Sequence, residues 1–163
     1  MTIRRKVIVA IVFTALVGLA IWGLMPSRPV PLTVTITLDA DTFHQGDPIV
    51  LHARIVNDGN EPIKILEPSL ADITFEVGVV NVQGLRLEYL GPYSVKSMDR
   101  DAGRYLEPGE VITRDVRLDS SFDLGPGRYR VEAAYRTLNY PDVNVPFCRI
   151  RSNELTFELL SSE

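Results

Sequence analysis

Hydrophobic and polar residues alternate with a period of two along most of the chain beyond residue 31. This alternation predicts β-strands that each bury one face and expose the other. The clearest run is 32–39, where leucine, valine and isoleucine alternate with threonine up to Asp39. Further runs predict strands at 49–56, 63–66, 73–79, 85–89, 111–118, 128–136 and 154–159. We therefore expect seven or eight short strands and no amphipathic helix in this part of the chain.

Turn residues separate these runs. Asp58 and Gly59 suit a turn because both tolerate positive φ, and Pro108 and Gly109 form a second turn signal. Many short strands divided by turns favour two packed antiparallel sheets. We predict an all-β, immunoglobulin-like antiparallel β-sandwich of seven or eight strands over residues 32–163, preceded by one N-terminal transmembrane or signal helix.

A tyrosine follows one of the later turns. Leu124, Gly125 and then Tyr129 resemble the tyrosine corner of Greek-key sandwiches. In that motif the phenol hydroxyl bonds back to the backbone of the preceding turn. This is the most fold-specific local pattern in the chain.

The first 31 residues have a different composition. Residues 1–6 are a basic segment, residues 7–25 carry no charge, and residues 26–31 are a proline-rich linker. At about 1.5 Å per residue, a helix over 7–25 covers roughly the 30 Å hydrocarbon core of a bilayer. Basic residues stay on the cytoplasmic side, so we expect a single-pass plasma-membrane protein with its N-terminus in the cytoplasm and its C-terminal domain periplasmic or extracellular.

A cleaved secretory signal peptide is the alternative to this anchor. Gly18 and Ala20 form a small-x-small pattern of the kind that signal peptidase cleaves, and cleavage would release a secreted domain. The apolar stretch nevertheless continues through Trp22 to Met25, which favours an uncleaved anchor.

The part of the chain predicted to be exported differs in net charge from the predicted anchor. Four of the 17 basic residues lie at or before Arg28, and all 21 acidic residues lie beyond it, so the remainder carries 13 basic and 21 acidic residues, a formal charge of −8. An acidic domain is a poor partner for nucleic acid, whose binding depends on lysine and arginine. Cys148 is the chain's one cysteine, so the domain has no internal disulfide and depends on its core.

Three segments together resemble a known accessory region. They read Gly-Leu-Arg-Leu-Glu-Tyr-Leu-Gly at 84–91, Leu-Glu-Pro-Gly-Glu at 106–110 and Gly-Arg-Tyr at 127–129. This pattern is similar to the non-catalytic sandwich region of deuterolysin-type metalloproteases and to other bacterial immunoglobulin-like accessory domains. The resemblance implies a fold rather than an activity, because the zinc-binding HExxH of the proteases is missing.

Few residues offer catalytic or metal chemistry. His44 lies in a polar turn, and His52 alternates with hydrophobic residues, so we interpret both as surface histidines rather than metal ligands. Asp99, Asp101, Glu107 and Glu110 are spaced partly like a calcium loop. Arg104 stands where such a loop needs glycine, which favours a solvated loop. We predict no catalytic residue, cofactor or metal, and Cys148 is interpreted as a small buried side chain.

Charged and aromatic positions offer candidates for an interface. A basic stripe at residues 128, 130, 136, 149 and 151 would suit an acidic partner, although alternation alone also places polar residues there. Tyr93, Tyr140 and Phe147 are the candidate interface residues, because aromatic side chains in loops are common in binding hot spots.

These observations predict a membrane-anchored, non-enzymatic extracytoplasmic domain that acts in protein–protein interaction in the cell envelope. The partner would be an envelope or membrane protein, with the bilayer contacted through residues 7–25, and neither nucleic acid nor a small-molecule substrate is expected. The alternative is a protease-associated accessory or inhibitory module, as the family resemblance implies.

Overall fold

The computed structural model of this chain describes residues 30–68, 74–91, 103–137 and 148–162. In these ranges the protein is all-β, as the alternation predicts. The strands are β1 (Leu32–Leu38), β2 (Thr42–His44), β3 (Val50–Asn57), β4 (Ile63–Leu66), β5 (Phe75–Asn81), β6 (Gly103–Leu106), β7 (Val111–Arg117), β8 (Gly127–Arg136) and β9 (Arg149–Leu160), with one helical turn, α1 (Leu118–Ser121), before β8.

The predicted anchor or signal helix at residues 7–25, the basic segment 1–6 and most of the linker lie outside the described residues. None of the helical structure in the described ranges is both long enough and apolar enough to cross a bilayer.

The strands form three sheets. The first has the order β1-β3-β7 and the second the order β2-β9-β8-β5, while β4 and β6 make a two-stranded ribbon. All pairs are antiparallel except β2 with β9, which run parallel. The chain thus leaves the first sheet at the end of β1 and joins the edge of the second at β2.

A single hydrophobic core lies between the two larger sheets. Ile36, Leu51 and Ile55 enter it from the first sheet, and Val131 and Phe157 enter it from the second, each at most 2% exposed. These side chains come from alternate positions, which confirms the predicted inward faces. Burying each such side chain stabilises the fold by about 1.5–3 kcal/mol.

Tyr129 makes the predicted bond at the turn before β8. Its hydroxyl donates to the carbonyl oxygen of Gly125 at 2.7 Å. Its ring stacks on Phe157 with the ring centroids 5.4 Å apart. The tyrosine therefore fixes the turn before β8 and contributes to the core at the same time.

The strand pattern differs from the prediction in number and in three places. The described ranges contain nine strands rather than seven or eight, because β2 and β6 form in segments interpreted as loops. The predicted strand at 85–89 is wrong. Arg86 makes one bridge to Val80, and Tyr89 then pairs with Phe122, with the ring centroids 5.8 Å apart. Residues 85–87 bond to β5, with the Leu87 N–H donating to the Val79 carbonyl at 2.8 Å, but the segment leaves β5 before Tyr89.

Candidate functional site

The most defined exposed feature is the turn that follows β5. Asn81 holds it, since its side-chain Oδ1 accepts the backbone N–H groups of Gln83 at 3.0 Å and Leu85 at 2.9 Å. The Asn81 backbone also donates to the Leu85 carbonyl at 3.0 Å and accepts from Gly84 at 2.9 Å. Gly84 has φ +80°, a conformation that side chains with a Cβ rarely adopt. Residues 82–85 thus form a structured turn, named here the 82–85 tip.

The 82–85 tip presents two large hydrophobic side chains to solvent. Val82 is 67% exposed and Leu85 is 63% exposed. Single exposed hydrophobic residues are ordinary on protein surfaces. Here, however, the two residues lie on a turn whose backbone is already held by hydrogen bonds. Little conformational entropy of the turn would therefore be lost when a partner binds it. The tip can therefore serve as a small apolar contact surface.

The tip lies at the end of the domain opposite to the chain's point of attachment. β1 begins beside Asp58, whose N–H donates to the carbonyl of Pro31 at 2.9 Å. Asn81 at the end of β5 pairs with Tyr129 near the start of β8, and β8 there pairs with the end of β9. Glu158 in that part of β9 bonds to Asp41, which follows the far end of β1, so β5 ends opposite to the start of β1. A partner bound at the tip would therefore not contact the segment where the N-terminal linker joins the domain.

The three aromatic interface candidates, Tyr93, Tyr140 and Phe147, lie outside the described residues. The sequence analysis missed the tip for a different reason. Leu85 continued an apparent strand alternation, and Val82 stood in a short turn. A hydrophobic residue inside an Asn-x-x-Gly turn was the available signal.

His52 occupies the outer face of the first sheet, as its alternation predicts. Its Nδ1 lies 2.8 Å from Oδ1 of Asp115, and its Nε2 lies 3.1 Å from Oδ1 of Asp39. The hydrogen bond with Asp115, followed by that with Asp39, raises the pKa of His52, while partial burial acts in the opposite direction. The imidazole thus lies between two carboxylates, that of Asp115 on β7 and that of Asp39 just after the end of β1.

The part of the chain that the structure describes contains no cluster of metal-ligating side chains. No set of three or more histidine, cysteine, aspartate and glutamate side chains is arranged there to hold an ion. Near His44, the carboxylate of Asp47 instead accepts the backbone N–H of His44 at 2.8 Å. Cys148 is half-buried rather than fully buried as predicted, and its backbone N–H donates to Oγ1 of Thr137 at 2.8 Å.

In the loop with calcium-like spacing, the side-chain carboxylate of Glu110 makes contacts within the protein. Glu110 accepts the backbone N–H of Glu107 at 2.8 Å and pairs with Arg104 at 2.7 Å. The backbone hydrogen bond from Glu107, and then Arg104, lower the pKa of Glu110. Arg104 is the residue found where a calcium loop needs glycine. Asp99 and Asp101 lie outside the described residues.

The arginines of the second sheet form a mixed-charge face. Each of the five pairs with a glutamate on another strand of the sheet: Arg128 with Glu158, Arg130 with Glu154, Arg136 with Glu76, Arg149 with Glu76 and Glu132, and Arg151 with Glu132. Four glutamates therefore offset the charge of the five arginines. This face does not present the basic stripe that an acidic partner would need.

Comparisons with known proteins give similarity to solved structures only. No family model matches the chain. No curated protein matches it either. The resemblance to deuterolysin-type proteases is therefore without support from a family.

Three solved structures illustrate the similarity. One is the Pseudomonas fluorescens alkylpurine DNA glycosylase AlkC bound to DNA containing an abasic site analog, with 15% identity, a TM-score of 0.41 and coverage of 80% of this chain but 31% of the glycosylase. Another is the CARDB domain of the PF1109 protein from Pyrococcus furiosus in complex with di-metal ions, with 15% identity, a TM-score of 0.40 and coverage of 80% and 94%. A third is the β-glucosidase EmGH1 from Erythrobacter marinus, with 12% identity, a TM-score of 0.37 and coverage of 75% and 15%. At these identities and TM-scores the likenesses carry no argument about this chain's function.

Proposed function

We propose that this chain is a membrane-anchored, non-enzymatic, extracytoplasmic immunoglobulin-like domain that binds another protein of the cell envelope. The charge-free stretch at 7–25 behind a basic start supports the anchor and its orientation. The formal charge of −8 beyond Arg28 supports a protein partner over nucleic acid. The observation that carries the binding role is the exposed, hydrogen-bonded 82–85 tip.

Strand order supports the immunoglobulin-like assignment. With β1, β3 and β7 as strands A, B and E, and β5, β8 and β9 as strands C, F and G, the two sheets follow the A-B-E and C-F-G arrangement of that fold. Tyr129 occupies the tyrosine-corner position at the start of strand F. Val131, two residues later, stands where antibody domains place a cysteine, and here it is fully buried. Hydrophobic packing thus takes the place of the inter-sheet disulfide.

The position of the tip supports a partner that lies away from the bilayer. The linker joins the domain beside Asp58, whereas the tip is at the far end of β5. A domain tethered through residues 7–25 would extend the 82–85 tip outward from the membrane. Loops at one end of a sandwich commonly carry recognition for the same geometric reason.

Site-specific photo-crosslinking in the native membrane tests this proposal. A photoreactive amino acid at position 85 should give an adduct with one envelope protein, while the same group at exposed position 35 on β1 should not. Val82→Asp and Leu85→Asp should each weaken binding of that protein at least tenfold, because a carboxylate at the contact must be desolvated. Thr35→Asp, which places the same charge on a different face, is the matched control and should bind like the wild type.

Two results would contradict the proposal. Equal adducts from positions 85 and 35 would show unspecific proximity rather than a binding surface. Unchanged affinity of the captured protein for Leu85→Asp would remove the tip from the interface. If the captured protein is an envelope protease whose activity changes on binding, the accessory-module alternative replaces the general interaction role.

A further inference from the structure

Three strand ends meet around one imidazole on the outer face of the first sheet. β3 carries His52 at the centre, β7 carries Asp115 directly opposite it, and Asp39 follows the end of β1. Asp39 also begins the crossover from the first sheet to the second. Asp41 lies in that crossover, and its carbonyl accepts the N–H of Glu158 in β9 at 2.8 Å. The histidine thus touches the segment that positions β2.

The charge around His52 is largely defined by these two acids. On the same face, Arg54 lies two residues along β3 and Arg117 two residues along β7. Arg117 pairs with Asp119 at 2.6 Å rather than with Asp115. From β1, the residue opposite His52 is Thr37, which does not titrate. Both carboxylates are about two-thirds exposed, and His52 is 37% exposed, so protons exchange with solvent without a conformational barrier.

The number of N–H donors on the His52 ring changes with protonation, and this makes the arrangement sensitive to pH. An imidazolium carries two N–H donors, whereas neutral imidazole carries one donor and one acceptor. Both carboxylates are acceptors when ionised. The protonated ring can therefore donate to Asp115 and Asp39 at once. When the ring is neutral, one of its nitrogens presents a lone pair to a carboxylate, and that contact becomes repulsive.

We propose that Asp39, His52 and Asp115 form a proton-dependent clasp that holds the crossover at residues 39–41 and, through it, the docking of β2 on β9. Loss of the proton releases the longer contact, that with Asp39 at 3.1 Å. The crossover and β2 then open more often. Folding raises the pKa of His52, so the clasp stabilises the folded chain below the usual histidine pKa and its contribution is lost as the pH rises through the raised value. This inference does not depend on the proposed function.

The clasp can be tested on the full-length chain in detergent micelles by histidine-selective NMR. The chain has two histidines, and a His44→Gln variant identifies the signal of His52. We expect the titration midpoint of His52 to fall in Asp115→Asn, and to fall by less in Asp39→Asn. Asp58→Asn removes a similar exposed charge at the far end of β3, and it should leave the midpoint unchanged.

Amide hydrogen exchange supplies the second, conformational measurement. Protection at residues 42–44, corrected for intrinsic base catalysis, should fall severalfold as the pH rises through the midpoint of His52. The fall should be absent in His52→Gln. The clasp is overturned if both aspartate variants leave the midpoint unchanged, or if protection of β2 follows the same pH course in wild type and His52→Gln.

Discussion

Asn57 is the buried polar residue around which one end of the domain is organised. Its side chain is fully buried, and its Nδ2 donates to the carbonyls of Glu61 at 2.9 Å and Leu106 at 2.8 Å. Its Oδ1 accepts the N–H of Gly59 at 2.9 Å. Every polar atom of the amide is thus satisfied, and one side chain joins the end of β3, the turn after it and β6. The sequence shows Asn57 beside the Asp58-Gly59 turn but does not reveal its bond to Leu106, which lies 49 residues away.

Replacing this amide should be costly. Asn57→Ala removes three buried or partly buried hydrogen bonds to the backbone, so we expect the free energy of unfolding to fall by about 2–3 kcal/mol. Urea denaturation monitored by far-UV circular dichroism measures this change in the free energy of unfolding. Asn60→Ala, an exposed asparagine in the same turn, should change stability by less than about 0.5 kcal/mol. Equal small effects for both variants would show that Asn57 does not organise this end.

At the scale of elements, β9 carries an irregularity that joins the two sheets. The register between β8 and β9 shifts after Glu132, and Ser152 there accepts the N–H of Ala133 at 2.9 Å through its hydroxyl. The shift turns Asn153 toward β1. Its amide accepts the N–H of Ile36 at 2.8 Å and donates to the carbonyl of the same residue at 3.0 Å. One side chain therefore takes the place of a neighbouring strand at the edge of β1.

Removing this amide should loosen β1 specifically. Asn153→Ala eliminates both bonds to Ile36, so we expect a loss of about 1–2 kcal/mol in unfolding free energy. We also expect the amide of Ile36 to exchange faster than those of its neighbours in β1. Hydrogen exchange read by NMR gives both quantities. Asn60→Ala is again the control. If Ile36 keeps its protection in Asn153→Ala, the contact does not hold the strand edge.

The long strands were predictable because alternation over seven or more residues fixes both the element and its buried face. β1, β3 and β8 show this, and Tyr129 adds a local bond within four residues. β2 was not predictable, since three residues with only Phe43 buried give no period, and its partner β9 is distant in sequence. The strand prediction at 85–89 was wrong for a different reason. Its alternation is real, but pairing of Tyr89 with Phe122 decides its path.

At the scale of the whole molecule, the contacts of the candidate sites were also only partly predictable from the sequence. The surface position of His52 follows from alternation, yet its contact with Asp39 and Asp115 depends on which strands are neighbours. Likewise the five arginines could be placed on one face, but their glutamate partners required the register of β5, β8 and β9. Sequence pattern gives the face of a strand, and only the sheet order gives its neighbours.

The whole molecule is expected to behave as one cooperative unit. The two larger sheets share a single core, and both the crossover into β2 and the Asn153 contact join them. β3 is the central strand of the first sheet, and β8 is an inner strand of the second. Both strands contribute buried side chains to this core, so neither can lose its hydrogen bonds without exposing part of it. Their slowest amides should therefore open together.

Native-state hydrogen exchange of the full-length chain across a series of denaturant concentrations tests this shared core most directly. We expect the slowest amides of β3 and β8 to give the same opening free energy and the same denaturant dependence, both equal to those of global unfolding. Distinct opening free energies for β3 and β8, persisting at every denaturant concentration, would contradict a single core between the two sheets.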